Sequence, residues 1–191
     1  MSPLQADVFR AAGRSGAGAT LKLFLRDPGF RPIATLRLHQ RCRASALGRP
    51  LCVVIALAHR FFESWAGMQL PLGTSIGPGL AIAHGFGMVV NARAVLGRNV
   101  TLFHGATIGQ GDEIGPNGER RTFYPVVEDD VWIGPHAVIA GNVRIGRGSR
   151  IMAGAVVVKD VPPHSMVAGN PATIVKEDCV PDVLNRAPVK S

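Results

Sequence analysis

Residues 127–162 read VEDDVW IGPHAV IAGNVR IGRGSR IMAGAV VVKDVP when cut into sixes. Val127, Ile133, Ile139, Ile145, Ile151 and Val157 head the six blocks without a slip, and Val131, Ala137, Val143, Ser149, Ala155 and Val161 stand four places after each. A period of six fits neither the 3.6-residue helical spacing nor simple strand alternation, but it is a repeat of parallel β-helices. Each block is then one short strand and one turn, and three blocks close a triangular coil. The leading aliphatic points inward and stacks on its equivalent one coil later. No block buries its aliphatic alone, so the structure exists only as a stack.

The same frame extends toward the amino terminus. Ile76 and Ile82 are six apart, Val90 follows after eight, and Leu96, Leu102 and Ile108 return to steps of six. A two-residue insertion therefore sits in IAHGFGMV, around His84. Val127 comes nineteen positions after Ile108, three blocks plus one, so GQGDEIGPNGERRTFYPV leaves the stack as an excursion over about residues 109–126. Function concentrates where a repeat is broken. Downstream, PPHSMVAGNPATIV reads as a turn and a closing strand. The organisation expected is a basic helical segment over residues 1–70, a β-helix over 71–176 and a flexible tail over 177–191.

Charge follows that division. The net charge is +8, and Met1 to Leu70 holds ten Lys/Arg against three acids. Residues 1 to about 20, rich in Ala, Gly and Ser, are expected to be frayed. Phe30 to Leu47 follows an Asp27-Pro28-Gly29 turn as an amphipathic helix, and Pro50 opens a second helix to about Ala66, ended by Gly67. Two readings of these helices stand: a cap over the open end of the β-helix, which protects its exposed strand edge, and docking of the arginine face on a membrane surface. Nucleic acid is the weakest partner class, since no zinc-finger spacing or aromatic-interleaved basic motif is present.

Cys42, Cys52 and Cys179 are odd in number and without C-x-x-C pairing, which favours a reducing cytoplasm over a disulfide framework. The opening MSPLQADVFR lacks a signal-peptide layout, and the most apolar run, Leu51 to Ala58, is too short to cross a bilayer. The expectation is a cytoplasmic protein, at the inner face of the membrane if the helices touch lipid.

Among six histidines, His84 lies in the glycine-flanked bulge A-H-G-F-G, where an imidazole can be aimed outward to take a proton from a hydroxyl. His104, in F-H-G-A-T-I-G, is next in interest, with a turn or subunit contact as the equal alternative. His39, His59, His136 and His164 read as structural or solvated. The cysteines lie outside the coils, so an acyl-cysteine intermediate has no evident home. A zinc site built from His84, His104 and His136 lacks the expected spacing, and no metal is expected.

Taken together, H-G-F-G-M-V-V, V-W-I-G-P-H-A-V-I and V-V-V-K-D-V-P-P-H-S-M-V-A-G-N-P-A over residues 70–176 resemble the hexapeptide-repeat acetyltransferases. The match is to the serine acetyltransferase-like branch, including the short enzymes that acetylate capsular and exopolysaccharides. The resemblance implies a mainly β fold, a left-handed parallel β-helix with an N-terminal helical cap; left-handed winding runs against the usual crossover preference. It implies acetyl-CoA as cosubstrate and a homotrimer, or a dimer of trimers, with sites between neighbouring subunits.

By the same matching, His84 is the general base and a backbone N–H near Gly85 or Gly87 holds the oxyanion. Gln69, His104 and Tyr124 fall around the acceptor, while Trp132, Gly134, Pro135 and Ala153 follow the pantetheine arm. Lys159 is placed to meet a CoA phosphate, as is Arg120 or Arg121 in the excursion. Departures are equally specific. Gln69 stands where the family's orienting acid is, Ala83 replaces the acid before the base, and Phe123-Tyr124 replaces an arginine and histidine. The expected function is O-acetylation of a sugar or polysaccharide precursor. Serine or homoserine is the alternative acceptor, and a non-catalytic trimeric scaffold the alternative class.

Overall fold

The computed structural model describes residues 1–44 and 49–189. Four helices, α1 (Pro3–Ala12), α2 (Ala17–Arg26), α3 (Phe30–Arg43) and α4 (Arg49–Ala66), precede the strands. The first coil is β1 (Ser75–Ile76), β2 (Ala81–Ala83) and β3 (Val89–Val90); the second is β4 (Val95–Leu96), β5 (Thr101–Phe103) and β6 (Thr107–Gly109). A hairpin, β7 (Gly111–Ile114) and β8 (Arg120–Phe123), then stands out from the stack. The third coil is β9 (Val126–Val127), β10 (Trp132–Ile133) and β11 (Val138–Ala140), and the fourth is β12 (Arg144–Ile145), β13 (Arg150–Ile151) and β14 (Val156–Val157). Each coil gives one strand to each of three parallel sheets.

Register explains the core. Ile133 pairs with Ile151 and Ile139 with Val157, eighteen residues apart, which is three blocks of six. Ile82 pairs with Leu102, twenty apart, whereas Val90 pairs with Ile108 at eighteen. The two extra residues therefore lie between Ile82 and Val90. Ile108 pairs with Ile139, thirty-one apart, so the excursion adds thirteen residues (31 − 18) to one coil. All six leading aliphatics of residues 127–162 are buried, as are Val131, Ala137, Val143, Ser149, Ala155 and Val161. Burying each aliphatic contributes about 1.5–3 kcal/mol, and stacking makes the contributions cooperative along the column. The closing strands are β15 (Met166–Ala168), parallel to β13, and β16 (Thr173–Lys176), antiparallel to β15.

The amino terminus is not frayed. Ser2 accepts a hydrogen bond from the Gln5 N–H, Pro3 opens α1, and Ala6, Asp7, Val8 and Arg10 are buried. The Asp7 carboxylate accepts the N–H groups of Gly79 and Leu80, both at 2.8 Å, and the guanidinium of Arg37 at 2.7 Å. Arg37 also donates to the carbonyls of Ile76 and Gly77. These two side chains saturate backbone groups that the first coil has no earlier coil to pair with.

The expected helix from Phe30 is α3, and its predicted end at Leu47 lies outside the described residues; α4 ends before Gly67, whose φ is +63°. The segment expected to be a flexible tail runs back over the coils. Asn99 exchanges hydrogen bonds with the backbone of Ala187, Arg186 pairs with Asp130, Asn185 donates to the Arg10 carbonyl, and Arg10 donates to that of Leu184.

Candidate active site

Three edges join the three sheets, and one carries most of the candidate residues. The β2–β3 connection places His84 on the first coil, β5–β6 places His104 on the second, β10–β11 places Gly134, Pro135 and His136 on the third, and β13–β14 places Ala153 on the fourth. His84 has φ +54°, a left-handed conformation that turns the chain out of the β2 strand at the point where the two residues are inserted. The bulge is pinned: Gly87 donates its N–H to the Gly67 carbonyl at 2.7 Å, and Met88 donates to that of Gly85 at 3.2 Å. Gly85 is required by space as well, since an added Cβ would stand 2.8 Å from Ile82 Cγ2 and collide with Met68.

The His84 imidazole is exposed and lines a cleft of about 690 Å³ with Arg26, Asp27, Met68, Ala83 and Phe86. A second cleft shares Asp27, Ile82 and Ala83 and extends past Thr101 to Phe103 and Trp132. Asp27 forms the turn expected of it, its carboxylate accepting the Gly29 N–H at 2.9 Å. Nothing periodic marks it as a site residue. Only the packing of the α2–α3 turn beside the bulge puts an acid and Arg26 in the cleft with His84.

The histidines form a row. The His84 and His104 ring centroids are 6.4 Å apart, and those of His104 and His136 are 5.0 Å apart at 87°. His136 was expected to be structural or solvated; its N–H donates to the His104 carbonyl, and its ring fills the space left by Gly105. The Nδ1 of His104 is buried without a partner. Among the described residues no group of three or more His, Cys, Asp or Glu is arranged to hold a metal ion.

Lower on the same edge, the coils are in close contact. A Cβ on Gly134 would stand 2.7 Å from Trp132 Cζ3 and 2.9 Å from the Ala153 nitrogen, and Gly154 donates to the Pro135 carbonyl at 2.8 Å. Ala153 is exposed, leaving a shallow path along the edge. Beside it, Trp132 lies between Phe103, at 4.9 Å between ring centroids, and the Arg150 guanidinium, at 5.2 Å.

Other candidates stand apart from His84 within one chain. Gln69 lines a different cleft with His59, Arg60 and Glu63. Tyr124 follows the hairpin on a second edge, where Arg93 donates to its hydroxyl at 3.2 Å and stacks on its ring. Lys159 is exposed on that second edge, two coils further on. In the hairpin, Arg120 is paired with Asp112.

Triangular coils of six-residue blocks, with an exposed imidazole at the head of one edge, define the class of hexapeptide-repeat transferases. Residues 124–159 match the family model described as bacterial transferase hexapeptide (six repeats). Serine acetyltransferase 4 of Arabidopsis thaliana is 39% identical over 128 residues, 67% of this chain and 34% of that protein. The serine acetyltransferase of Bacillus subtilis is 36% identical over 128 residues, covering 67% of this chain and 55% of the relative. A crystal structure of the Neisseria gonorrhoeae serine acetyltransferase in complex with serine superposes with a TM-score of 0.69 at 33% identity, over 91% of this chain and 68% of that one. The chain belongs to the hexapeptide-repeat transferase family, in its serine acetyltransferase-like branch, and its β-helix is of the left-handed kind with a helical amino terminus. It spans about a third to somewhat over half the length of these curated relatives.

Proposed function

We propose that this chain transfers the acetyl group of acetyl-CoA to the hydroxyl of serine or a closely related amino-acid alcohol. The observation that carries this reading is the His84 cleft, in which a bulge-mounted imidazole shares its walls with Arg26 and Asp27. Serine is a zwitterion, and a cation beside an anion is the pair its recognition needs. Ala83, Phe123 and Tyr124 argued against a charged acceptor from sequence alone; Arg26 and Asp27 return the charges from the helical segment. The serine acetyltransferases among the relatives support the same acceptor.

In the proposed reaction His84 removes the hydroxyl proton as the oxygen attacks the thioester carbonyl. The tetrahedral intermediate then collapses, the C–S bond breaks, and the proton returns to the CoA thiolate. The Gly87 N–H is already committed to Gly67, which leaves the Gly85 N–H as the donor to the oxyanion. CoA lies along the edge past Gly134, Pro135 and Ala153. Tyr124 and Lys159, on the second edge, act in a homotrimer across the subunit boundary, where a neighbour's second edge meets the first.

A sugar hydroxyl is the second reading. It is favoured by the apolar and aromatic lining of the second cleft at Phe103 and Trp132, which suits the C–H surface of a sugar ring. Thiol release from acetyl-CoA with free serine, homoserine and a hexose separates the two. Saturable turnover with serine is expected, with KM raised by Arg26→Gln and Asp27→Asn and kcat lowered about a hundredfold or more by His84→Ala. Turnover with the hexose alone sinks the serine reading, and His84→Ala activity within about tenfold of the parent sinks the assigned base; no turnover with any acceptor leaves the scaffold.

A further inference from the structure

We propose that the outer face of α4 docks the protein on an anionic lipid surface. Val53, Val54, Leu57, Phe61 and Trp65 recur at helical spacing along one side of this helix and are 65%, 61%, 68%, 57% and 63% exposed. The opposite side is already used: Ile55 and His59 are buried, and Phe62 packs edge-on against Phe24 of α2 at 5.5 Å. On α2, which that contact joins to α4, Leu21 and Leu25 are 60% and 64% exposed. A five-residue apolar row on one helix, ending in a Phe61–Trp65 pair, is larger than scattered surface hydrophobics account for.

Charge selects the occupant. Lys22, Arg26 and Arg60 flank the stripe and are exposed. Of the three carboxylates in residues 1–70, Asp7 is buried on Arg37, while Asp27 and Glu63 are half-buried and hold the Gly29 and Leu70 N–H groups. The surface therefore offers cations and apolar side chains with no exposed acid, the composition of a helix lying in an anionic lipid interface. A second copy meeting this face through a two-fold axis would set these cations against their own equivalents. Two arginines of α3 are unavailable to such a surface: Arg37 is buried, and Arg31 donates to the carbonyls of Phe24 and Leu25. Among the described residues no helix is long and apolar enough to cross a membrane, so the contact is an in-plane one.

The test uses the full chain and flotation with phosphatidylcholine vesicles, with and without about a third phosphatidylglycerol. Binding is expected only to the anionic vesicles and should weaken at least tenfold between ~0.1 and ~0.5 M salt. Brominated lipid should quench Trp65, as judged against Trp65→Phe. Leu57→Ser/Phe61→Ser and, as a purely surface change, Lys22→Glu/Arg60→Glu should each lower the bound fraction about tenfold or more with the circular dichroism spectrum unchanged. Equal binding to neutral vesicles, or none to either, overturns the proposal. So does a fall in light-scattering mass for Leu57→Ser/Phe61→Ser, which assigns the face to a contact between copies. Because the readout is binding, its failure leaves the catalytic proposal untouched.

Discussion

Replacing Asp7 by alanine should cost about 4 kcal/mol, as much as a large core truncation, although the residue lies in the first helix and outside the repeat. Its carboxylate is fully buried and takes four hydrogen bonds, two from Arg37 and two from the N–H groups of Gly79 and Leu80. Without it, two buried N–H groups lose their acceptor at about 1–3 kcal/mol each, and a buried guanidinium keeps only the Ile76 and Gly77 carbonyls. Removing one partner of a buried pair costs about 3–5 kcal/mol, and the terms overlap, hence a total near 4. For a chain of this size that lowers the melting temperature by roughly 10 °C. Calorimetry at a single protein concentration measures it, since assembly would make the midpoint concentration-dependent. Asp7→Ala/Arg37→Met should cost clearly less than the sum of its single changes, because it also removes the stranded charge. A loss below about 1 kcal/mol, or strict additivity in the double variant, would refute the view that this pair closes the end of the β-helix.

Ile139, buried between Ile108 and Val157, should cost about 2–5 kcal/mol on truncation to alanine, read from chemical denaturation; a smaller loss would mean that the column can collapse around the gap. If His84 and Tyr124 of neighbouring chains share a site, equal mixing of inactive His84→Ala and Tyr124→Ala chains, refolded together, should restore about a quarter of parental turnover, since one pairing in four carries both intact groups. No recovery would place them in separate sites. Burial pushes the Asp129 carboxyl up, but hydrogen bonds from the Arg98 side chain and backbone outweigh it and hold it below the usual carboxylate range. Its contribution is therefore present at neutral pH and lost as pH falls below about 4 through the depressed folded value, so Asp129→Asn should flatten the acid limb of a stability profile.

Repetition decides which of these features the sequence reveals. Ile133, Ile139 and Ile145 announce the fold because each coil repeats one environment, and the repeat gives register, strand and inward side at once. The two breaks in the period locate His84 and the hairpin for the same reason: an interruption is visible only against a regular background. Nothing comparable marks Asp7 and Arg37. They meet once, thirty residues apart, on helices whose spacing carries no trace of the backbone groups they satisfy. The Asn99–Ala187 bonds are equally singular, and they turn an expected loose tail into a strap across the coils.

The candidate site mixes both kinds of information. His84, His104 and Gly134 share an edge, and the hexad frame determines which edge each turn occupies. The Arg26–Asp27 pair is supplied by a helical turn that the frame does not reach, and it changes the chemistry of the pocket from neutral to doubly charged. On the proposed reading, acceptor choice rests on the part of the molecule least constrained by the repeat. The proposed base and thioester track are placed by the hexad frame and its first interruption; the groups beside His84 are set by how the helices close the first coil. A change in the α2–α3 turn can alter the acceptor without disturbing a single rung, whereas the same change within a hexad would disturb the stack first.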